Sequence, residues 1–130
     1  MEALLRMHVL ERVDWQRDLH FQTCTTIDTL DYSGTAINEG SKVVVAAAGP
    51  KRRTLPTKLP GDLRLPDGFT NPQVCLPGVL AIQGPKYAAS RGSVDGPEPA
   101  VERFCQQLTA RDAINAFPLL IIVDDSAFAS

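Results

Sequence analysis

Near the C-terminal end of this 130-residue chain lies FPLLIIVDDS, Phe117–Ser126, and no other stretch restricts the fold as strongly. Leu119–Val123 is a continuous apolar run rich in β-branched residues. It is far shorter than the roughly 20 residues of a membrane-spanning helix, so it reads as a strand buried on both faces at the centre of a sheet. Two carboxylates, Asp124 and Asp125, follow at once. In open α/β sheets ligands are met just past the carboxyl ends of strands, which makes this acidic turn the first candidate for chemistry. A strand of this kind is normally followed by a covering helix, yet only Ser126–Ser130 remain, and the expectation is an incomplete domain.

Other elements give that strand its company. Lys42–Ala48, KVVVAAA, is bounded by Gly40-Ser41 and Gly49-Pro50 and reads as a strand; Val79–Gln83, VLAIQ, sits between Gly78 and Gly84-Pro85 and reads as another. After a polar loop over Lys86–Pro97, apolar residues recur at Val101, Phe104, Cys105 and Leu108, with Pro97 and Pro99 at the start and Glu98 and Glu102 in the first turn. That spacing predicts a helix. A helix between VLAIQ and LLIIV makes a β-loop-α-β crossover, right-handed and with parallel strands. The fold class is therefore α/β, a small mixed or parallel sheet with this crossover, and the domain is expected to be incomplete. Its expected division is 1–38, an N-terminal helix and connector, and 39–130, a truncated C-terminal α/β domain.

The remaining segments are less regular. Leu4, Leu5, Met7, Val9 and Leu10 form a rough helical face that continues less clearly through Trp15 and Leu19, and the hydroxyl-rich Thr23–Asn38 reads as an extended connector. Leu55–Pro77 holds Pro56, Pro60, Pro66, Pro72 and Pro77. Proline at that density predicts irregular, semi-rigid chain, of the kind used for a lid or an inter-domain contact.

Few residues suggest chemistry. The loop GPKRR, Gly49–Arg53, joins a glycine to Lys51, Arg52 and Arg53 at a strand end, a combination able to hold a phosphate or carboxylate. It lacks the GxxxxGK[ST] and GxGxxG patterns, and a solvated basic turn is the favoured reading. Asp125 or Ser126 reads more simply as the N-cap of a following helix. An acidic pair after a strand also occurs in response-regulator receivers, but there it follows the first strand, and here it comes last. His8 and His20 lack the i, i+4 spacing that presents two imidazoles to one metal, and surface or interface positions are expected for them. Cys24, Cys75 and Cys105 form no CxxC and read as reduced thiols. No G-x-S-x-G elbow exposes a serine.

Composition narrows the class. At 44% apolar, 22% charged and a net charge of −2, the chain is that of an ordinary globular protein with no reason to bind a polyanion, so nucleic acid is not an expected partner. No apolar run reaches membrane-spanning length and no signal-peptide core follows Met1, so a cytoplasmic location is expected.

Three segments together carry a resemblance. The run TTIDTLDYSGTAINEGSKVVVAAAGPKRRTLPTKLP (Thr25–Pro60), then LPGVLAIQGP (Leu76–Pro85) and FPLLIIVDDSAF (Phe117–Phe128) resemble the C-terminal region of UbiD-type decarboxylases, the relatives of polyprenyl-hydroxybenzoate decarboxylase. The resemblance covers about residues 23 to 130. It implies a carboxy-lyase for aromatic or α,β-unsaturated acids that uses prenylated FMN with a divalent metal and a monovalent cation. In that family the cofactor and catalytic residues belong to a preceding flavin-binding domain. No catalytic, cofactor-binding or metal residue is therefore carried over to this sequence, and this part alone is expected to bind no cofactor. The C-terminal domain of the family supplies oligomer contacts and a wall of a cleft closed by an inter-domain hinge, so a homo-oligomer is the expected state of the longer protein. The family pattern also continues past the acidic turn into a helix. Two alternatives stand beside this reading: a free-standing module that binds an anion at GPKRR, and a non-catalytic interaction protein.

Overall fold

A computed structural model describes residues 1–26, 39–86 and 99–127, with the side chains of 23–26 and 39 excepted. Most of the expected connector up to Asn38 and most of the expected loop over Lys86–Pro97 lie outside these residues. The chain divides into two compact units, Met1–Thr54 and Leu55–Ser130.

The first unit begins with a π-helical segment, Leu4–Leu10, shorter than the apolar face suggests. Its wide turns close when Glu11 N–H donates to Arg6 O at 3.1 Å, and Val13 N–H returns to Val9 O at 2.8 Å. Leu10 and Val13 are buried there. The chain does not continue as helix through Leu19. It turns, and Leu19–Thr26 forms strand β1, antiparallel to β2 at Glu39–Val45, with Leu19 opposite Val45 and Phe21 opposite Val43. Part of the expected connector is thus strand, and the expected strand Lys42–Ala48 starts earlier and ends at Val45. β1 and β2 pair within the first compact unit, which runs to Thr54.

Side chains alternate across a strand, so Leu19, Phe21, Val43 and Val45 share one face of this two-stranded ribbon and His20, Gln22, Lys42 and Val44 share the other. The apolar face is open to solvent, with Phe21 68% and Val43 56% exposed.

The second unit is built on a three-stranded sheet in the order β3 (Thr70–Leu76), β4 (Val79–Gln83), β5 (Leu119–Val123). β4 is its centre: Val79, Leu80, Ala81 and Ile82 are all buried. Among the described residues β5 pairs with β4 alone, in parallel and in unbroken register from Val79↔Leu119 to Gln83↔Val123. FPLLIIV is therefore an edge strand, half-buried and with Ile121 38% exposed, because one flank and part of one face have no neighbour among the described residues. The parallel pairing of the crossover is as expected; its helix, α1, spans Pro99–Gln107.

β3 corrects the reading of the proline segment. Residues 55–69 are irregular, but Thr70–Leu76 pairs antiparallel with β4 despite Pro72. The strand lies on the sheet edge and its register shifts between Thr70 and Gln73, positions where proline costs no ladder bond. Pro77-Gly78 then turns the chain into β4 in the sequence pattern of a type II turn, with Gly78 at φ +80 and its N–H donated to Pro56 O at 2.9 Å.

One face of the sheet carries the core. Leu80 and Ile82 pack with Phe69, Phe104, Ile114 and Phe117, each buried side chain contributing about 1.5–3 kcal/mol by removal from water. The Phe69 and Phe104 rings lie 4.5 Å apart, tilted by 58°. Phe104 is the buried residue of α1; Cys105, expected on the same face, is exposed, because the helix is short and only one narrow stripe meets the sheet.

Candidate functional site

The basic loop Gly49–Arg53 follows β2, and each of its cations is met within its own unit. Lys51 Nζ lies 3.0 Å from Glu11 Oε1, and Arg52 Nη2 lies 3.0 Å from Asp14 Oδ2. Arg53 donates from Nη1 to Leu10 O at 2.7 Å and from Nη2 to Val13 O at 2.6 Å. The backbone N–H of Arg52 adds a bond to Glu11 O at 2.8 Å, and Arg12 Nη1 reaches Gly49 O at 2.8 Å. The loop is thereby clamped to the end of the helical segment and the turn after it. An incoming phosphate would compete with two carboxylates already in place.

Beside this clamp, Asp18 is buried and accepts from Arg17 Nε at 2.6 Å and from Asp14 N–H at 2.9 Å. The Arg17 guanidinium first, and then the Asp14 N–H, hold its carboxyl below the usual value of 3.8, at about 2. Its own carbonyl accepts from Ala46 N–H at 2.9 Å, which extends the ribbon's pairing by one step.

The acidic turn is placed at the carboxyl ends of β4 and β5. Asp125 Oδ1 accepts from Ala127 N–H at 2.9 Å, the local bond of a capping residue. Ser126 is buried and donates from Oγ to Asn71 O at 2.7 Å, tying the turn to the start of β3. Asp124 is exposed and makes no hydrogen bond or ion pair with other described residues; it stands at the rim of a cavity of about 210 Å³. Phe69, Pro85, Ala100, Val101, Ile122 and Val123 supply the walls. Close packing shapes its floor: a Cβ on Gly84 would lie 2.8 Å from Ile122 Cγ2 and 3.2 Å from Phe69 Cε1, so a larger residue there would displace the Ile122 side chain. A second cavity of about 220 Å³ shares Phe69, Pro85 and Ala100 and carries charges of both signs, Asp67 and Arg103.

Sequence reasoning singled out Asp124 and missed the walls. Ala100 and Val101 lay at a helix start, and Phe69 lay within the proline segment with no periodic pattern to mark it. Gly84-Pro85 read only as a strand stop.

The other candidates stand apart. His8 is exposed on the helical segment and His20 on β1, and Cys75 and Cys105 are free thiols. Among the described residues no three His, Cys, Asp or Glu side chains converge in a way that would hold a metal ion. The residues described here thus do not fit a metal-dependent flavin: no ligand set converges, and the cations suited to a phosphate are already engaged. No described helix is long and apolar enough to cross a membrane.

Residues 4–47 match the family model for the 3-octaprenyl-4-hydroxybenzoate carboxy-lyase C-terminal domain. The match falls within the first compact unit and takes in the helical segment. Relatives occur in Chlamydia, each described as an uncharacterized protein. One from Chlamydia trachomatis is 32% identical over 121 residues, 93% of this chain and 18% of the relative; one from Chlamydia caviae is 40% identical over 75 residues, 58% of this chain and 13% of the relative. A third, from Chlamydia muridarum, is 28% identical over 118 residues, 90% of this chain and 17% of the relative. The chain thus spans less than a fifth of the length of these relatives. No solved structure matches it.

Proposed function

From the UbiD-like C-terminal region that this chain carries, we infer that it is the C-terminal part of a carboxy-lyase acting on aromatic or α,β-unsaturated carboxylic acids. Its own work in that enzyme is assembly and closure of a cleft. The prenylated FMN, its divalent metal and its monovalent cation belong to a flavin-binding domain elsewhere in the longer protein, which is cytoplasmic and a homo-oligomer.

One observation supports this division of labour above the others. The unit that matches the family domain presents an uncovered apolar face, Leu19, Phe21, Val43 and Val45, on a ribbon of only two strands. An isolated two-stranded ribbon is marginal in water, and an apolar face of this kind is ordinarily buried by a partner. Within Met1–Thr54 the buried apolar side chains among the described residues are Leu10 and Val13, too few to stabilise a unit of this size unaided.

Two measurements on the 130-residue chain test the reading. Light scattering should show concentration-dependent association that Phe21→Asp abolishes; a chain that stays monomeric at all concentrations refutes the assembly role. Incubation with prenylated FMN, a divalent metal, potassium and an unsaturated aromatic acid should release no carbon dioxide. Turnover by this chain alone would refute the assignment of chemistry to another domain.

A further inference from the structure

The cavity at the carboxyl ends of β4 and β5 has three properties that together restrict what it can hold. Its size is the first. An apolar cavity of about 150 Å³ accepts benzene, so about 210 Å³ takes an aromatic ring with a short side chain. Its walls are the second: Phe69, Pro85, Val101 and Ile122 offer aromatic and aliphatic surface, and none of the described wall residues brings a side-chain hydrogen-bonding group. The third is Asp124, the one charged side chain at its edge among the described residues, with none of which it pairs. The first turn of α1 also borders the cavity through Ala100 and Val101, and a helix start carries a partial positive charge. Glu102 in that same turn offsets it, and Asp124 is the full charge that borders this cavity among the described residues.

We propose that this cavity is a binding site for small arylalkyl amines, with the ring among Phe69, Val101 and Ile122 and the ammonium group at Asp124. The site is distinct from the carboxylate chemistry of the parent family: a carboxylic acid would bring its charge against that of Asp124. The inference does not rest on the family reading, because it uses only the shape and charge of the second unit.

Amide-resolved NMR titration of the 130-residue chain with benzylamine, benzyl alcohol and phenylacetate tests it. Benzylamine should shift the amides of Ala100, Val101, Val123 and Asp124 and bind about tenfold more tightly than phenylacetate, with benzyl alcohol between them. Asp124→Asn, at an exposed position that leaves the fold intact, should weaken benzylamine about fivefold and leave benzyl alcohol unchanged. Equal or tighter binding of phenylacetate would show that the helix start decides the charge preference and would overturn the proposal. So would unchanged benzylamine affinity in Asp124→Asn, or the absence of localised shifts at about 10 mM ligand, the weak end of what so few ligand atoms can supply.

Discussion

Arg53→Ala should be the most damaging single change in the basic loop, although the loop reads as a solvated turn in the sequence. Its guanidinium bridges the carbonyls of Leu10 and Val13 at 2.7 and 2.6 Å, and both of those residues are buried. Hydrogen bonds from a charged donor contribute about 1.5–3 kcal/mol each; taking the lower value twice for a half-buried arginine gives about 3 kcal/mol. Water reaching the freed carbonyls returns part of that, and a loss of about 2 kcal/mol is expected. Arg53→Lys keeps the charge and one donor direction and should lose about 1 kcal/mol. Lys51→Ala, which removes an ion pair with a half-exposed lysine, should lose well under 1 kcal/mol. The assay is urea unfolding followed by fluorescence of Trp15, the chain's single tryptophan, which lies in the first unit and so reports on it. Arg53→Ala within about 0.5 kcal/mol of the parent, or no more damaging than Lys51→Ala, would refute the clamp as the source of this unit's order.

Two further outcomes are expected. Asp18 has its carboxyl pKa lowered from 3.8 to about 2, so it stabilises the first unit above the unfolded value, and that contribution is lost as pH falls through the folded one. Trp15 fluorescence should therefore report weakening between about pH 4 and pH 2 that Asp18→Asn removes; an unaltered acid profile in Asp18→Asn would contradict the assignment. Gly78→Ala combines φ +80 with a Cβ placed 2.7 Å from Leu55 Cδ2 and 3.2 Å from Leu55 Cβ, and should destabilise the second unit by about 2 kcal/mol in a circular-dichroism melt.

The parts of the fold that were legible from sequence are those with strong, short-range patterns. VLAIQ and LLIIV are unbroken apolar runs, and their parallel pairing followed from the helix between them. The rank of the two strands did not follow, because an apolar run reports burial without saying how many neighbours a strand has. Only the structure shows LLIIV at the edge and VLAIQ at the centre. β1 carried a signal that was passed over: Leu19 and Phe21 alternate with His20 and Gln22, the period of a half-buried strand, but the threonines that follow resemble a connector. β3 was hidden by Pro72, and Pro77-Gly78 before an apolar run was the clue to its hairpin. At the candidate site, Asp124 was visible because charge after a strand is a local pattern. The cavity walls come from four separated segments, and no local pattern reports that meeting.

The clamp and the ribbon separate two properties that are usually confounded in assembly mutants. The ribbon's base is held by the clamp, since Ala46 N–H pairs with Asp18 O and the loop that leaves β2 is fastened to Glu11, Leu10 and Val13. Its apolar face, by contrast, takes no part in the clamp: Phe21 and Val43 lie further along the strands and are exposed. Phe21→Asp should therefore abolish association while leaving the Trp15 unfolding midpoint within about 0.5 kcal/mol, as expected for an exposed site. Arg53→Ala should lower that midpoint and weaken association only in proportion to the fraction of unit unfolded. Equal effects of both changes on both readouts would mean that the ribbon is ordered by its partner rather than by the clamp. Association would then be coupled folding and binding instead of the docking of a preformed face.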